Sequence, residues 1–170
     1  MSAHHDAGPS AWVARWATLI RPGGEVLDVA CGAGRHARLL ARMGFEVDAV
    51  DRDPAVFVDP PAGVRLLKAD IEMEPWPYAG RRFDGIVVTN YLHRPLLPVL
   101  VDALETGGVL VYETFARGNE RFGKPSNPAF LLAPGELLEA VRGRLRVVAY
   151  EDLVLEVPRP AAIQRICARA

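Results

Sequence analysis

From Ser10 to Ile20 apolar side chains recur at helical spacing, with Trp12, Val13, Trp16, Leu19 and Ile20 on one face. Ser10 can cap this run and Arg21-Pro22-Gly23-Gly24 stops it, so a helix is expected over about 10–20. Glu25 to Ala30 reads as a buried strand, Gly32 and Gly34 as a tight turn, and Arg35 to Met43 as a helix closed by Gly44. Val47 to Asp51 supplies the next strand. A Pro-bearing stretch from Asp53 to Gly63 crosses back, and Val64 to Asp70 supplies a third strand. Phe83 to Thr89 predicts a fourth, Leu96 to Leu104 a helix, and Val109 to Phe115 a fifth strand after Thr106-Gly107-Gly108.

The pattern then changes. Ala116 to Phe130 is rich in Gly, Asn, Pro and charge, makes no buried element, and is long for a connector. Pro134 and Gly135 open a helix through about Val141, and apolar-rich strands follow near Leu145 to Glu156 and Ala162 to Ala168. Strands separated by helical segments predict an α/β fold, Rossmann-like and doubly wound, with a mostly parallel seven-stranded sheet covered on both faces. The last two strands are joined by a short turn, so they must form a C-terminal antiparallel hairpin.

Composition narrows the class. The 170 residues are half hydrophobic and 24% charged, which predicts one globular domain over 1–170. Lys+Arg at 20 nearly balances Asp+Glu at 21, so no nucleic-acid partner is expected. Cys31 and Cys167 lie far apart without metal-ligand spacing, so neither a disulfide framework nor a metal site is expected. The stretch from Met1 to Pro9, with His4, His5 and Asp6, lacks an apolar export region, and no run reaches the roughly 18 residues of a membrane span. A cytoplasmic protein without membrane association is expected.

The chemistry concentrates in Val26-Leu27-Asp28-Val29-Ala30-Cys31-Gly32-Ala33-Gly34, with Asp51 ending the next strand. In an open parallel sheet this sets a glycine turn beside a carboxylate at the carboxyl edge, where ligands enter. Glycines admit a ligand to the backbone, and Asp51 can accept from two vicinal ribose hydroxyls, so the run reads as a nucleoside site, or else as a tight turn beside a solvated Asp.

These residues resemble the class I S-adenosylmethionine-dependent methyltransferases, and the Tyr91-to-Arg94 run with the stretch from Tyr112 to Asn127 looks like small bacterial members near the tellurite-resistance group. The family's first motif runs acidic-x-Gly-x-Gly-x-Gly, and this chain departs from it with Ala30 at the first glycine. The resemblance implies S-adenosylmethionine as cofactor and S-adenosylhomocysteine as product. It implies that Gly32 and Gly34, with Ala30 and Cys31 in the same turn, lie against the methionine part while Asp28 orients it. Asp51, with Arg52 beside it, would bind the ribose; Asp70 and the Ile71 amide would read the adenine edge. Arg35 and His36, at a helix start that favours anions, either hold the methionine carboxylate or are exposed first-turn side chains.

The fourth strand ends in Thr89-Asn90-Tyr91-Leu92-His93-Arg94, where this fold presents its reacting face, so Asn90 is assigned to the cofactor and Tyr91 and His93 to catalysis and the acceptor. His93 could accept a proton at neutral pH, and equally it could be a packing or capping group. Glu113, Arg117 and Arg121 are assigned to the acceptor: residues 116–130 form either a lid over the carboxyl edge or a solvated connector. Arg117, Arg121 and Lys124 against Glu120 alone suggest a small anionic acceptor, or charges that merely keep a loop soluble. A small-molecule methyl acceptor is the expectation, in-line attack on an activated methyl group the mechanism. Two alternatives stand beside it: an NAD(P)-dependent oxidoreductase, for which no Tyr-x-x-x-Lys pair is found, and a noncatalytic S-adenosylmethionine-binding module. Acceptor identity and oligomeric state are set by pocket shape and surface complementarity rather than by local sequence.

Overall fold

The computed structural model describes residues 8–170. Most of the stretch read for a targeting signal, His4, His5 and Asp6 included, lies outside the described residues. The strands are β1 (Glu25–Val29), β2 (Glu46–Asp51), β3 (Val64–Lys68), β4 (Phe83–Thr89), β5 (Leu104–Phe115), β6 (Arg146–Leu155) and β7 (Ala161–Arg169). They form one seven-stranded sheet in the order β3-β2-β1-β4-β5-β7-β6. Pairings among the first five are parallel, whereas β7 runs antiparallel to both β5 and β6. The expected hairpin is therefore present, with β7 inserted between β5 and the edge strand β6. Strand order reverses between β1 and β4, and a crevice opens beyond the carboxyl ends of such neighbours.

Alternation along the central strands separates two cores. Val26, Val87, Val109 and Val111 face Trp12 and Val13 of α1 (Ala11–Trp16) and Ala37 and Leu40 of α2 (Arg35–Arg42). Leu27, Val29, Ile86 and Val88 face Leu100 and Val101 of α3 (Leu97–Asp102) and Leu137 and Val141 of α4 (Glu136–Val141). Full coverage holds only at the centre of the sheet. No α-helix lies between β2 and β3 or between β3 and β4, and Leu67 on β3 and Val147, Val148 and Val154 on β6 are exposed. Asp48 stitches the thin β3 edge to the rest through Arg65 and Arg81, at 2.8 and 2.9 Å. Burial alone would raise this carboxyl, but the two guanidiniums outweigh it and hold it below the usual range.

Local chemistry explains where the elements start and stop. The Ser10 hydroxyl accepts from Trp12 and Val13 N–H, capping α1 as expected. The helix ends sooner than expected, passing into a 3-10 turn at Ala17–Leu19. Thr18 Oγ1 bonds back to Arg15 O at 2.6 Å, and Pro22 favours extended backbone before it. α3 likewise begins as a 3-10 turn at Arg94–Leu96, because Pro95 and Pro98 offer no N–H to a helical ladder. At α4 the cap position is Gly135, without a side chain; Gln164 of β7, wholly buried, supplies the oxygen that accepts Leu137 N–H at 2.8 Å.

Candidate active site

β1 delivers the chain into a run of left-handed residues: Ala30 at φ 53°, Gly32 at 54° and Gly34 at 82°. Cys31 N–H donates to Val50 O at 3.0 Å and Gly34 N–H to Cys31 O at 2.9 Å, which folds the turn back over the end of β2. Asp51 locks it. Its Oδ2 accepts Gly32 N–H and its Oδ1 accepts Asp53 N–H, both at 2.9 Å. A carboxylate oxygen has two lone pairs, so each keeps one direction for a ligand hydroxyl. Ala30, standing where the motif has glycine, holds a backbone conformation that costs an L-residue roughly 1 kcal/mol or more. Ala30→Gly is therefore expected to stabilise the fold by up to about 1 kcal/mol in urea denaturation; a loss of stability would show that the Ala30 methyl packs usefully.

Three ionisable groups behind the turn are shaped by burial. Asp28 is 1% exposed, and its carboxyl is pushed up to about 7 by burial, against the Ala37 backbone hydrogen bond and the charge of Arg35. Its Oδ2 has no hydrogen-bond partner among the described residues. Burial, then the carboxylates of Asp28 and Asp51, push the Cys31 thiol far up, so it stays a protonated packing group. His36 is 2% exposed and pushed down to about 3 by burial and by Arg35. Its Nε2 accepts Ser10 N–H at 3.0 Å, which leaves the proton on Nδ1, and Nδ1 donates to Thr89 Oγ1 at 3.1 Å. Contrary to both sequence readings, His36 is neither exposed nor a carboxylate holder: it is a buried, neutral post between the α1 cap and the end of β4, with neither ring nitrogen spare. Of the pair at the start of α2, only Arg35 offers positive charge. Its Nη1 donates to Gly8 O at 3.1 Å.

A cleft of two lobes opens on this framework, each about 430 Å³. The first is lined by Asp51, Arg52, Ala69, Asp70 and Ile71. The second runs from Cys31, Gly32, Arg35 and His36 past Thr89, Asn90 and Leu92 to Thr114, Phe115 and Pro125. Ala30, Glu72, Tyr91 and Phe130 line both. Asp70 acts partly as a turn former, its Oδ1 accepting Glu72 N–H at 3.1 Å and Met73 N–H at 3.2 Å. The Ile71 amide donates to no backbone carbonyl among the described residues. Asn90 turns the chain at φ 53°, with its N–H on Glu113 O at 2.9 Å. Tyr91 OH donates to Glu72 Oε1 at 2.9 Å, and burial followed by the Glu72 carboxylate pushes the phenol far up.

Four expected acceptor residues do not line either lobe. Glu113 lies on the opposite face of β5, accepting Ser10 Oγ–H at 2.8 Å and pairing with Arg165 at 3.0 Å; strand alternation delivers Thr114 to the cleft instead. Arg117 follows buried Ala116, which is bridged to Leu132, and so turns outward. Arg121 folds onto its own loop, with Nε donating to Gly118 O at 3.2 Å and the guanidinium 5.4 Å from the Phe122 ring centroid. His93 reaches the cleft only through Glu72, its Nδ1 lying 3.9 Å from Glu72 Oε2. Sequence reasoning missed Glu72, Thr89, Thr114 and Phe130. Glu72 sits two residues beyond Asp70 in the same loop, a signal that could have found it.

The 116–130 segment presents Pro125 and Phe130, not its arginines, to the cleft. Both ends are fastened. Asn119, 2% exposed, accepts Ala162 N–H at 3.2 Å and donates to Pro125 O at 2.9 Å. Arg94 donates to Ala129 O and Leu131 O, both at 2.9 Å, and to Glu136 Oε1 at 2.6 Å.

Against known proteins, the family described as methyltransferase domain matches residues 1–125. Protein-L-isoaspartate O-methyltransferase of Methylorubrum extorquens is 30% identical over 122 residues, covering 62% of this chain and 53% of the relative. Malonyl-[acyl-carrier protein] O-methyltransferase of Serratia marcescens is 33% identical over 104 residues, covering 58% and 41%. The chain thus spans about half the length of the curated relatives it matches. The crystal structure of TehB from Haemophilus influenzae superposes with a TM-score of 0.77 at 19% identity, covering 98% of this chain and 64% of that one, a likeness of fold.

Proposed function

Because the chain belongs to the methyltransferase domain family and has the class I S-adenosylmethionine-dependent fold, we propose that it acts as one methyltransferase domain that passes a methyl group from S-adenosylmethionine to a small-molecule acceptor. The observation that carries this reading is the two-lobed cleft pivoting on the Asp51-locked glycine turn. The residues present fit the cofactor. Asp51 keeps a lone pair on each oxygen for the two ribose hydroxyls, and the Ile71 amide and Asp70 border the same lobe for the adenine. Gly32 admits the methionine chain to the backbone, Arg35 supplies charge for its carboxylate, and buried Asp28 holds an unused acceptor oxygen behind the turn. When bound, the cofactor supplies a methyl group already activated on a sulfonium.

The residues of this chain then have to hold an acceptor in line and keep water out. Leu92, Phe115, Pro125 and Phe130 give the second lobe an apolar wall, and its volume falls in the range of small-molecule sites. Protein and acyl-carrier acceptors belong to the names of the relatives; a lobe of this size, with Pro125 and Phe130 of the fastened 116–130 segment on its wall, favours something smaller here. No helix among the described residues is long and apolar enough to cross a membrane, and free Cys31 and Cys167 suit a reducing cytoplasm.

S-adenosylhomocysteine at about 100 times its Kd should stabilise the fold by about 2.7 kcal/mol in a thermal-shift titration, while NAD at the same concentration leaves the melting temperature in place. Stabilisation by NAD alone would transfer the cleft to oxidoreductase chemistry.

A further inference from the structure

The second lobe is unevenly charged. Arg35 lies at the glycine-turn end, where the methionine carboxylate belongs; His36 beside it is neutral. Glu72 is the one acidic side chain among the residues that line this lobe. Its Oε1 takes the Tyr91 hydroxyl, and among the described residues the basic side chain nearest to pairing with it is His93, at 3.9 Å. No Lys or Arg among the described residues pairs with it. The lid arginines, which in sequence suggested an anion site, face away, while Tyr91, Phe115 and Phe130 bring aromatic rings to the same space.

A carboxylate acceptor placed here would meet like charge. A nitrogen bearing protons would meet a carboxylate oxygen and ring faces, the two groups that attract ammonium. We infer that Glu72 is the acceptor-recognition group of this cleft and that the acceptor is a small amine with an apolar body. The inference rests on the methyltransferase reading above and adds the substrate class. Recognised as an ammonium, the amine first gives one proton to Glu72, which passes it from its half-exposed carboxyl to water. The neutral nitrogen then forms a bond to the methyl carbon as that carbon's bond to sulfur breaks, the breaking pair stays on sulfur as a thioether, and the product leaves as the methylated ammonium.

The test uses the full chain saturated with S-adenosylhomocysteine and three probes of one shape: phenethylamine, phenylacetate and 2-phenylethanol. Calorimetric titration is expected to show phenethylamine binding at least tenfold more tightly than either of the others, and Glu72→Gln to abolish that preference. Tyr91→Phe, which keeps the charge on Glu72, should retain it. Phenylacetate binding as tightly as the amine, no measurable amine binding, or a preference that survives Glu72→Gln would each overturn the inference. The affinity for S-adenosylhomocysteine is measured first. If it binds and the probe ranking fails, only the amine assignment falls; if it does not bind, the methyltransferase reading falls with it.

Discussion

Gly34→Ala is expected to destabilise the fold by roughly 2–4 kcal/mol, a drop in melting temperature on the order of 5–15 °C for a chain of this size. Two costs combine. The residue sits at φ 82°, where an L side chain is strained, and a Cβ there would lie 2.3 Å from Cζ of Phe57. Phe57 cannot easily withdraw, being 3% exposed and covered by Arg38, whose guanidinium carbon is 4.9 Å from the ring centroid. Gly32→Ala separates the two. At φ 54° with nothing within 4 Å of its Cβ, it carries the backbone cost alone, about 1–2 kcal/mol. Trimming the ring with Phe57→Leu should recover part of the Gly34→Ala loss, a coupling that a double-mutant cycle reads directly. Equal losses for the two glycines would mean that the Phe57 contact does not restrict the turn.

Asp51→Ala should weaken S-adenosylhomocysteine binding by about 1.5–3 kcal/mol, roughly 10- to 150-fold in Kd, the range for hydrogen bonds to a charged group. The same substitution frees the Gly32 and Asp53 amides that Asp51 now holds. A smaller fall in stability should accompany the fall in affinity. Asp51→Asn separates the effects: its side-chain carbonyl can still take one amide, so stability recovers more than affinity. Calorimetry on all three proteins at one pH checks this, and unchanged affinity in Asp51→Ala would remove the residue from the cofactor site.

Much of the frame was legible because it is written in local chemistry. Periodicity marks β4 from Phe83 to Thr89 to the residue, Ser10 announces the α1 cap, and the short link before β7 requires an antiparallel pair. The glycine turn and Asp51 were legible for the same reason, since a motif names backbone positions that the fold then brings together. What failed depended on direction rather than position. Glu113 ends a strand at the right edge, yet period-two alternation points it at Ser10 and Arg165 while its neighbour Thr114 faces the cleft. Arg117 and Arg121 lie in the right loop, but the bridge at Ala116 and the turn at Gly118 aim both away. His36 was misread because its partners, Ser10 and Thr89, lie 26 and 53 residues away in sequence.

The fastening of residues 116–130 bears on how the cleft exchanges its contents. With Asn119 tied to β7 and Arg94 holding Ala129 and Leu131, the span left to swing is the short stretch between the two anchors. Short loops rearrange in nanoseconds to microseconds, whereas enzymes commonly complete about 1 to 1,000 cycles per second. A stretch this short is expected to move faster than such a cycle. On the methyltransferase reading proposed above, the slow event of a cycle is then expected to be methyl transfer or departure of the spent nucleoside rather than movement of this cover, an order that single-turnover kinetics checks.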